Sequence, residues 1–331
     1  MTTTARAKTV LVAALACAAV LTFFPCARLS AEGASDGARN ALPPTQAKDA
    51  SKAGLPISIP QTIRPGECLV VTFGPAEGIA DAIVEVRSGD GKVLADVPGF
   101  DSGDGKVVAL VGFSSLEKPG ALVVDASARY GSDSKSVART VADLAVLPKD
   151  YPNEDVPLDG KNTAIRKDLG KKRLEEIRVL YELFAARRAE APRFRGPWAA
   201  PVKSTRRTSE YGDRRTYVYA DGTREPSPHL GIDYGVPSGT AVFASGSGVV
   251  VMARERISTG WTVAIEHLPG VYSLYYHCDK LFVNEGDAVA TGQHIANSGC
   301  TGLSTGPHLH HEYRVGSVPV SPDWFYGRIL F

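Results

Sequence analysis

All seven histidines of this 331-residue chain lie between His229 and His311, in its last third. Four of them stand in three short motifs, and one motif also holds an acidic residue: His229-Leu-Gly-Ile-Asp233, Tyr276-His277 and His308-Leu-His310. Imidazoles and a carboxylate are the ligands of a nitrogen/oxygen zinc site, and further imidazoles are suited to proton transfer. The fold must therefore bring distant segments of the last third together, and the pattern predicts a metal-dependent hydrolase.

The overall composition is that of a soluble globular protein, with 44% hydrophobic and 22% charged residues. A formal net charge of +1 gives no reason to expect nucleic acid or an anionic membrane surface as a partner. The length suffices for two domains and a linker.

The first 31 residues have the order of a secretory signal. Arg6 and Lys8 precede an apolar run over residues 9–24, and small residues follow up to Ala31. This run is shorter than the ~20 residues that a membrane-spanning helix needs. We predict export to the periplasm, the cell envelope or the medium, with cleavage near Ala31 and no membrane span in the mature chain. A retained membrane anchor, or a lipid on Cys17, stays open as an alternative.

The mature chain would keep Cys68, Cys278 and Cys300, an odd and sparse set that cannot form a disulfide framework. The fold must therefore depend on hydrophobic cores. An exported protein could form a Cys278–Cys300 bridge, which would leave Cys68 free, and the sequence leaves this pairing open.

Two regions follow the signal. Residues 32–54 are small and polar and predict a disordered tether. Residues 55–148 alternate β-rich runs with turn signals and predict an Ig-like β-sandwich. The clearest runs are Cys68–Phe73, Ala82–Val86, Val107–Phe113 and Leu122–Val124. Because this region has no histidine, we expect it to be a positioning or binding module.

Residues 149–195 predict a short helical linker. Apolar residues recur there at three- and four-residue steps, as in an amphipathic helix: Leu174, Ile177, Leu180, Tyr181 and Phe184. We expect Pro192 to end this helix and its apolar face to lie against a domain.

Residues 196–331 are again β-rich, so the chain as a whole is predicted to be dominated by β-structure. On a strand, residues i and i+2 point to the same face, so His308 and His310 should project side by side while His311 faces away. Prolines and glycines around His229 and Asp233 argue against a helix there. His267 and His294 are expected to be structural or surface histidines.

The joint pattern over residues 196–331 resembles the lysostaphin-type zinc metallopeptidases that cut peptidoglycan cross-links. The segments that carry the resemblance are Tyr211-Gly-Asp-Arg-Arg215, His229-Leu-Gly-Ile-Asp-Tyr234, Pro237-Ser-Gly-Thr-Ala-Val242, Ala244-Ser-Gly-Ser-Gly248, Tyr275-Tyr-His277, Glu285-Gly-Asp287, Gly292-Gln293 and the run Gly299–His310. The resemblance implies an antiparallel β-sheet of the barrel-sandwich (duplicated hybrid motif) type. It also implies a peptidoglycan substrate.

By position, the resemblance implies that His229, Asp233 and His310 bind one zinc ion per chain. It also implies that His277 and His308 are catalytic histidines that do not bind the metal, with His308 as general base and His277 as hydrogen-bond donor to the oxyanion. Three protein ligands leave a fourth position for water, whose pKa the metal would lower to about 7.

A second interpretation belongs to a different class of function: a catalytically silent domain of the same fold that binds and activates another cell-wall hydrolase. The presence of all five implied positions favours the enzyme. The sequence does not indicate which peptide bond is cut, nor the oligomeric state.

Overall fold

In the computed structural model, the described residues are 55–75, 77–131, 134–188 and 190–331. The predicted signal at residues 1–31 and the predicted tether at 32–54 lie outside these residues. Strands greatly outnumber helices in the described part, and the prediction of a fold dominated by β-structure is confirmed. The three helices among the described residues are all too short or too polar to cross a membrane.

The region before residue 148 forms two sheets. Its strands are β1 Ile57–Ser58, β2 Thr62–Ile63, β3 Cys68–Phe73, β4 Ile79–Ser88, β5 Val93–Pro98, β6 Phe100–Asp101, β7 Val107–Gly112, β8 Gly120–Tyr130 and β9 Ser136–Val146. One sheet has the order β1-β3-β7-β6 and the other β2-β9-β8-β4-β5. Alternate residues of both sheets share one apolar core, which includes Phe73, Val84 and Val124. This arrangement agrees with the predicted sandwich, while its Ig-like character stays a prediction.

The predicted linker contains more than a helix. It begins with strand β10 Asn153–Pro157 and continues with helices α1 Gly160–Lys167 and α2 Lys171–Ala185. The expectation that Pro192 ends the helix is wrong, because α2 already ends at Ala185. The predicted apolar stripe is only partly buried: Phe184 packs against Tyr272, whereas Leu174 is 52% exposed.

The C-terminal region is built around a ten-stranded sheet. The strands and the helix of this region, including two strands outside that sheet, are β11 Arg207–Ser209, β12 Arg214–Val218, β13 Arg224–Pro228, β14 Ile232–Tyr234, β15 Ala241–Phe243, β16 Gly248–Arg256, β17 Gly260–Leu268, β18 Val271–Leu281, β19 Ala288–Val289, β20 His294–Ser298, β21 Leu309–Val315, β22 Val318–Val320 and α3 Pro322–Phe325. The central order is β11-β14-β21-β18-β17-β16-β19, and β10 joins β12 and β13 in a separate three-stranded sheet. The linker strand therefore pairs directly with the C-terminal region.

One apolar cluster joins the N-terminal and C-terminal regions. Val108 and Leu110 of β7 belong to the same buried cluster as Tyr313 and Val320. The predicted domain boundaries at residues 148 and 195 stay predictions. Within the described residues Cys68, Cys278 and Cys300 are all free thiols, and the first two are buried.

The register between strands determines which side chains lie next to one another in the middle of the ten-stranded sheet. Strand β21 lies between β14 and β18, so Asp233 stands directly opposite His310 and Tyr276 stands opposite His310 on the other side. Directly opposed residues have Cβ atoms about 5 Å apart and project from the same face. Residues that are 77 positions apart in sequence are thereby held side by side.

Candidate metal centre

The structure brings His229, Asp233 and His310 together, each buried and each with a ligand atom within 4.8 Å of the others. His229 follows the last residue of β13, and Asp233 is the middle residue of β14. His310 is the second residue of β21. No helix carries any of the three, as the surrounding glycines and prolines predict.

The three ligand atoms form a compact triangle. The His310 Nδ1–Asp233 Oδ1 distance is 2.8 Å, the His229 Nε2–His310 Nδ1 distance is 3.0 Å, and the His229 Nε2–Asp233 Oδ1 distance is 3.2 Å. Tetrahedral zinc has bonds of about 2.0–2.2 Å to nitrogen and oxygen, which separates its ligand atoms by roughly 3.3 Å. Two nitrogen atoms, one oxygen atom and this spacing fit a divalent transition metal.

Each of the three side chains is oriented by a second contact on its far side. His229 Nδ1 donates to the backbone carbonyl of Glu210 at 2.8 Å, which leaves Nε2 as the ligand atom. Asp233 Oδ2 accepts from Arg215 at 2.6 Å, and His310 Nε2 lies 3.8 Å from a carboxylate oxygen of Glu312. Such outer partners fix the ring orientation and ligand atom of metal-binding histidines.

Burial and mutual charge shift the protonation of this group. Burial alone would raise the pKa of Asp233, but the charges and hydrogen bonds of His229 and His310 hold it well below its ordinary value. Burial lowers the pKa of His229. Burial would also lower the pKa of His310, but hydrogen bonds to Asp233 and Glu312 raise it to about 9. Asp233 is therefore ionised at neutral pH, as a metal ligand must be.

His277 lies beside the triangle in an unusual backbone conformation. It follows Tyr276 at the irregular end of the β17–β18 pairing and has a φ of 61°, in the left-handed region. Its Nδ1 lies 2.7 Å from the carbonyl oxygen of Thr301, so Nδ1 carries the proton and Nε2 is unprotonated in the neutral ring. Burial, together with the charges of His308 and His310, lowers the pKa of His277 to about 3. The ring is thus neutral.

His308 completes the cluster from the loop before β21. Its ring centroid is 4.7 Å from that of His277, and its Nε2 lies 3.8 Å from Asp233 Oδ1. Its Nδ1 donates to the carbonyl oxygen of Gly306 at 2.8 Å, which again leaves an unprotonated Nε2. All five predicted site residues therefore line one cavity of about 440 Å³.

The other histidines lie away from this cavity. His311 is fully buried on the opposite face of β21 and bonds Tyr326 and Ser245, as predicted from the strand alternation. His267 is buried between Ser247 and Ser273, and His294 is exposed beside Asn297. Neither contributes to the metal triangle.

The linker supplies part of the site, which sequence reasoning missed. Glu154 of β10 pairs with the same Arg215 that holds Asp233, at 3.0 Å. From α1, Asn162 is buried and donates to the carbonyl oxygen of Ser304, in the loop that carries His308. Arg166 and Arg173 line the cavity from the same side. Their sequence signal is only that of a charged connector, so these roles depend on tertiary structure.

The comparisons with known proteins agree with this geometry. Residues 227–322, which lie within the region that carries the motif resemblance, match the model of peptidase family M23. This confirms the resemblance predicted from the motifs.

Two curated relatives illustrate the match. The chain is 42% identical over 122 residues to peptidoglycan DD-endopeptidase ShyA of Vibrio cholerae, covering 37% of this chain and 28% of that protein. It is 45% identical over 94 residues to DD-carboxypeptidase/endopeptidase Mpg of Neisseria meningitidis, covering 28% of this chain and 22% of that protein. The aligned part thus spans about a quarter of the length of these relatives.

A solved structure extends the similarity in fold. A putative peptidase M23 from Pseudomonas aeruginosa superposes with a TM-score of 0.54, covering 80% of this chain and 94% of that chain. The sequence identity is 23%, so this match concerns the fold alone.

Proposed function

We propose that this protein is a zinc metalloendopeptidase of the periplasm or cell envelope that hydrolyses peptide bonds in peptidoglycan stem peptides or cross-bridges. The observation that carries the proposal is the buried triangle of His229, Asp233 and His310, with two further imidazoles facing the same cavity. The named activities of the curated relatives support the substrate class.

His229 Nε2, Asp233 Oδ1 and His310 Nδ1 would hold the metal, because these are the atoms that face one another. When bound, zinc would polarise the scissile carbonyl and lower the pKa of a water molecule to about 7. Arg215 keeps the second oxygen of Asp233 occupied at 2.6 Å, so this carboxylate would offer a single oxygen to the metal. The nitrogen/oxygen donor set suits several divalent transition metals, and zinc is proposed among them from the family that the motifs resemble.

His308 is proposed as the general base. Its Nδ1 proton is held by the carbonyl of Gly306, so the lone pair on Nε2 faces the cavity and can accept a proton. A base positioned in this way contributes about 10²–10⁴-fold to a rate.

The hydrogen-bond pattern changes the role expected of His277. The proposed donation to an oxyanion requires a proton on Nε2, but the neutral ring already carries its proton on Nδ1, against the carbonyl of Thr301. We therefore propose that His277 takes up a proton at Nε2, and donates to the substrate oxygen, only once negative charge has developed on that oxygen, because its pKa of about 3 keeps the ring neutral before then. Its backbone φ of 61° places the ring beside that of His308, which can pass on the proton that it accepts as base.

The alternative, a silent domain that activates another hydrolase, is not favoured. In such a domain we would expect a ligand or a base to be missing, whereas here five side chains of the required types converge on one cavity.

Zinc analysis combined with digestion of purified sacculi tests the proposed function. We expect one zinc per chain by elemental analysis, and release of soluble fragments that stops when a chelator is added. Mass spectrometry of defined muropeptides would then identify the bond. Bound zinc without fragment release would contradict the enzyme and favour the activator.

Glu312→Gln tests the carboxylate behind His310. Glu312 is buried, faces His310 Nε2 and pairs with Arg314, so its charge supports the imidazole that would hold the metal. We expect metal affinity, measured by chelator competition, to fall about 10–100-fold. The control is Glu285→Gln, an exposed glutamate paired with Arg254, which should not change affinity. An unaltered affinity in folded Glu312→Gln protein would refute this role.

A further inference from the structure

Helix α2 begins with an unusual charge pattern. Its first three residues are Lys171, Lys172 and Arg173, and its first turn has no acidic residue. A helix N-terminus carries partial positive charge, so cations there are unfavourable. The N-cap, Gly170, provides no side-chain hydrogen bond to the helix. This end of the helix thus concentrates positive charge, which at Arg173 is opposed within the helix by the charge of Glu176 in the next turn.

Arg173 places a positive charge of this helix end at the proposed active site. It lines the same cavity as His229, His277 and His308. Within the described residues, no carboxylate oxygen lies within 4.0 Å of its guanidinium. Burial lowers the pKa of Arg173 and the charge of nearby Arg256 acts in the same direction, while the more distant carboxylates of Glu176 and Asp168 oppose this shift. A partly buried cation with no carboxylate in direct contact has lost part of its hydration, and an anionic ligand would offset that loss.

Two neighbouring arginines, Arg256 and Arg166, add to the positive charge around Arg173. Arg256 is 5% exposed, its Nε atom has no partner, and its other nitrogens bond only Thr259 and a backbone carbonyl among the described residues. Arg166 also lines the cavity, and its charge is paired with Glu225. In the described part of the chain, the guanidinium groups of Arg173 and Arg256 therefore form no direct ion pair with a carboxylate.

The metal-site arginine differs from them. Arg215 is neutralised by Asp233 and Glu154, at 2.6 and 3.0 Å. Four arginines line the cavity, and three of them bond internal groups: Arg215 the carboxylates of Asp233 and Glu154, Arg166 that of Glu225, and Arg206 the carbonyl of Gly235. The fourth, Arg173, is available to a ligand.

We propose that Arg173, supported by the N-terminus of α2, forms an anion subsite that binds a carboxylate of the peptide substrate beside the metal centre. The inference rests on the proposed function, because it assigns a substrate group to the same cavity. Guanidinium groups bind carboxylates through charge-assisted and often bidentate hydrogen bonds. Stem peptides of peptidoglycan carry free carboxylates, at the C-terminus and on the D-glutamate residue, which are the groups that this subsite would select. The linker helix would thereby be a specificity element of the enzyme.

Binding of a single stem peptide tests this subsite separately from turnover. The probe is the fluorescently labelled tetrapeptide L-Ala-γ-D-Glu-L-Lys-D-Ala, with its carboxylates either free or converted to amides, and mass spectrometry would check that it stays intact during the measurement. Dissociation constants would be measured by fluorescence anisotropy on the zinc-loaded full chain. We expect the wild type to bind the free acid about tenfold more tightly than the amide, and Arg173→Gln to bind both alike. Arg173→Lys should restore part of the preference.

Arg178→Gln is the matched control. It removes the same charge from the same helix, but Arg178 is exposed and pairs with Glu175 and Glu182 on the outer face. It should keep the preference of the wild type. Equal binding of the two probes by the wild type would overturn the subsite, as would a preference that survives in Arg173→Gln. If sacculi release no fragments while Arg173→Gln abolishes the preference, the proposed activity fails and the subsite stands.

Discussion

Asp233→Asn is expected to remove the metal and reduce fragment release by more than about 10⁴-fold, the largest effect that we predict. The amide keeps the size of the side chain but removes the negative charge that faces His229 and His310. Enzymes lower barriers by about 8–23 kcal/mol, and the metal must supply more of this than any single base. Elemental analysis and digestion of sacculi would measure both losses in the same preparation.

The control for this variant has to separate loss of metal from loss of fold. Asp233 also neutralises buried Arg215, so the free energy of unfolding should fall as well. Asp81→Asn makes the same chemical change at an exposed position of strand β4, where Asp81 pairs with Arg129, and should leave metal and activity unchanged. A folded Asp233→Asn protein that still holds stoichiometric metal would contradict the proposed ligand set.

Local patterns predicted several strands because the local signals agree with the tertiary structure there. The run Cys68–Phe73 coincides with strand β3, and the alternation at His308, His310 and His311 correctly separates the cavity from the core. The end of α2 was missed because helix termini depend on tertiary contacts. The helix ends at Ala185, seven residues before the proline that was expected to end it. There the chain turns over Tyr272, whose hydroxyl oxygen lies 2.9 Å from the carbonyl oxygens of Leu183 and Ala186.

The candidate site likewise has residues that the sequence could suggest and residues that it could not. The sequence could suggest the proposed ligands and catalytic histidines because they stand in motifs that resemble those of a known family. It could not suggest Glu154, Asn162 and Arg173, because charged and amide residues in a polar connector have no distinctive pattern. Their importance arises from the pairing of β10 with β12, which brings a segment some 150 residues upstream of His308 against the loop that carries it. Such non-local pairing is not encoded in any short window of sequence.

His308→Ala is expected to keep the metal and lose turnover by about 10²–10⁴-fold. Its Nε2 is 3.8 Å from Asp233 Oδ1, and its ring contributes no atom to the metal triangle, so the ligand atoms stay in place when the ring is removed. The loss should be in the turnover number, because the residue moves a proton and contributes little to holding the substrate. Steady-state kinetics on a defined muropeptide, with zinc content measured in the same samples, would separate a loss of turnover from a loss of metal.

The comparison with His294→Ala makes this test specific. His294 is exposed and bonds Asn297 outside the cavity, so the same substitution there should leave turnover, metal content and unfolding unchanged. If His308→Ala is folded but free of metal, His308 is a ligand and the division between ligands and bases is wrong. If it holds metal and retains full turnover, His277, whose Nε2 is also unprotonated, is the base instead. The rings of His277 and His308 lie 4.7 Å apart, and each has its Nδ1 proton bound to a backbone carbonyl. If the two act as a unit, the turnover of the His277→Ala/His308→Ala double variant should be hardly lower than that of the more impaired single variant.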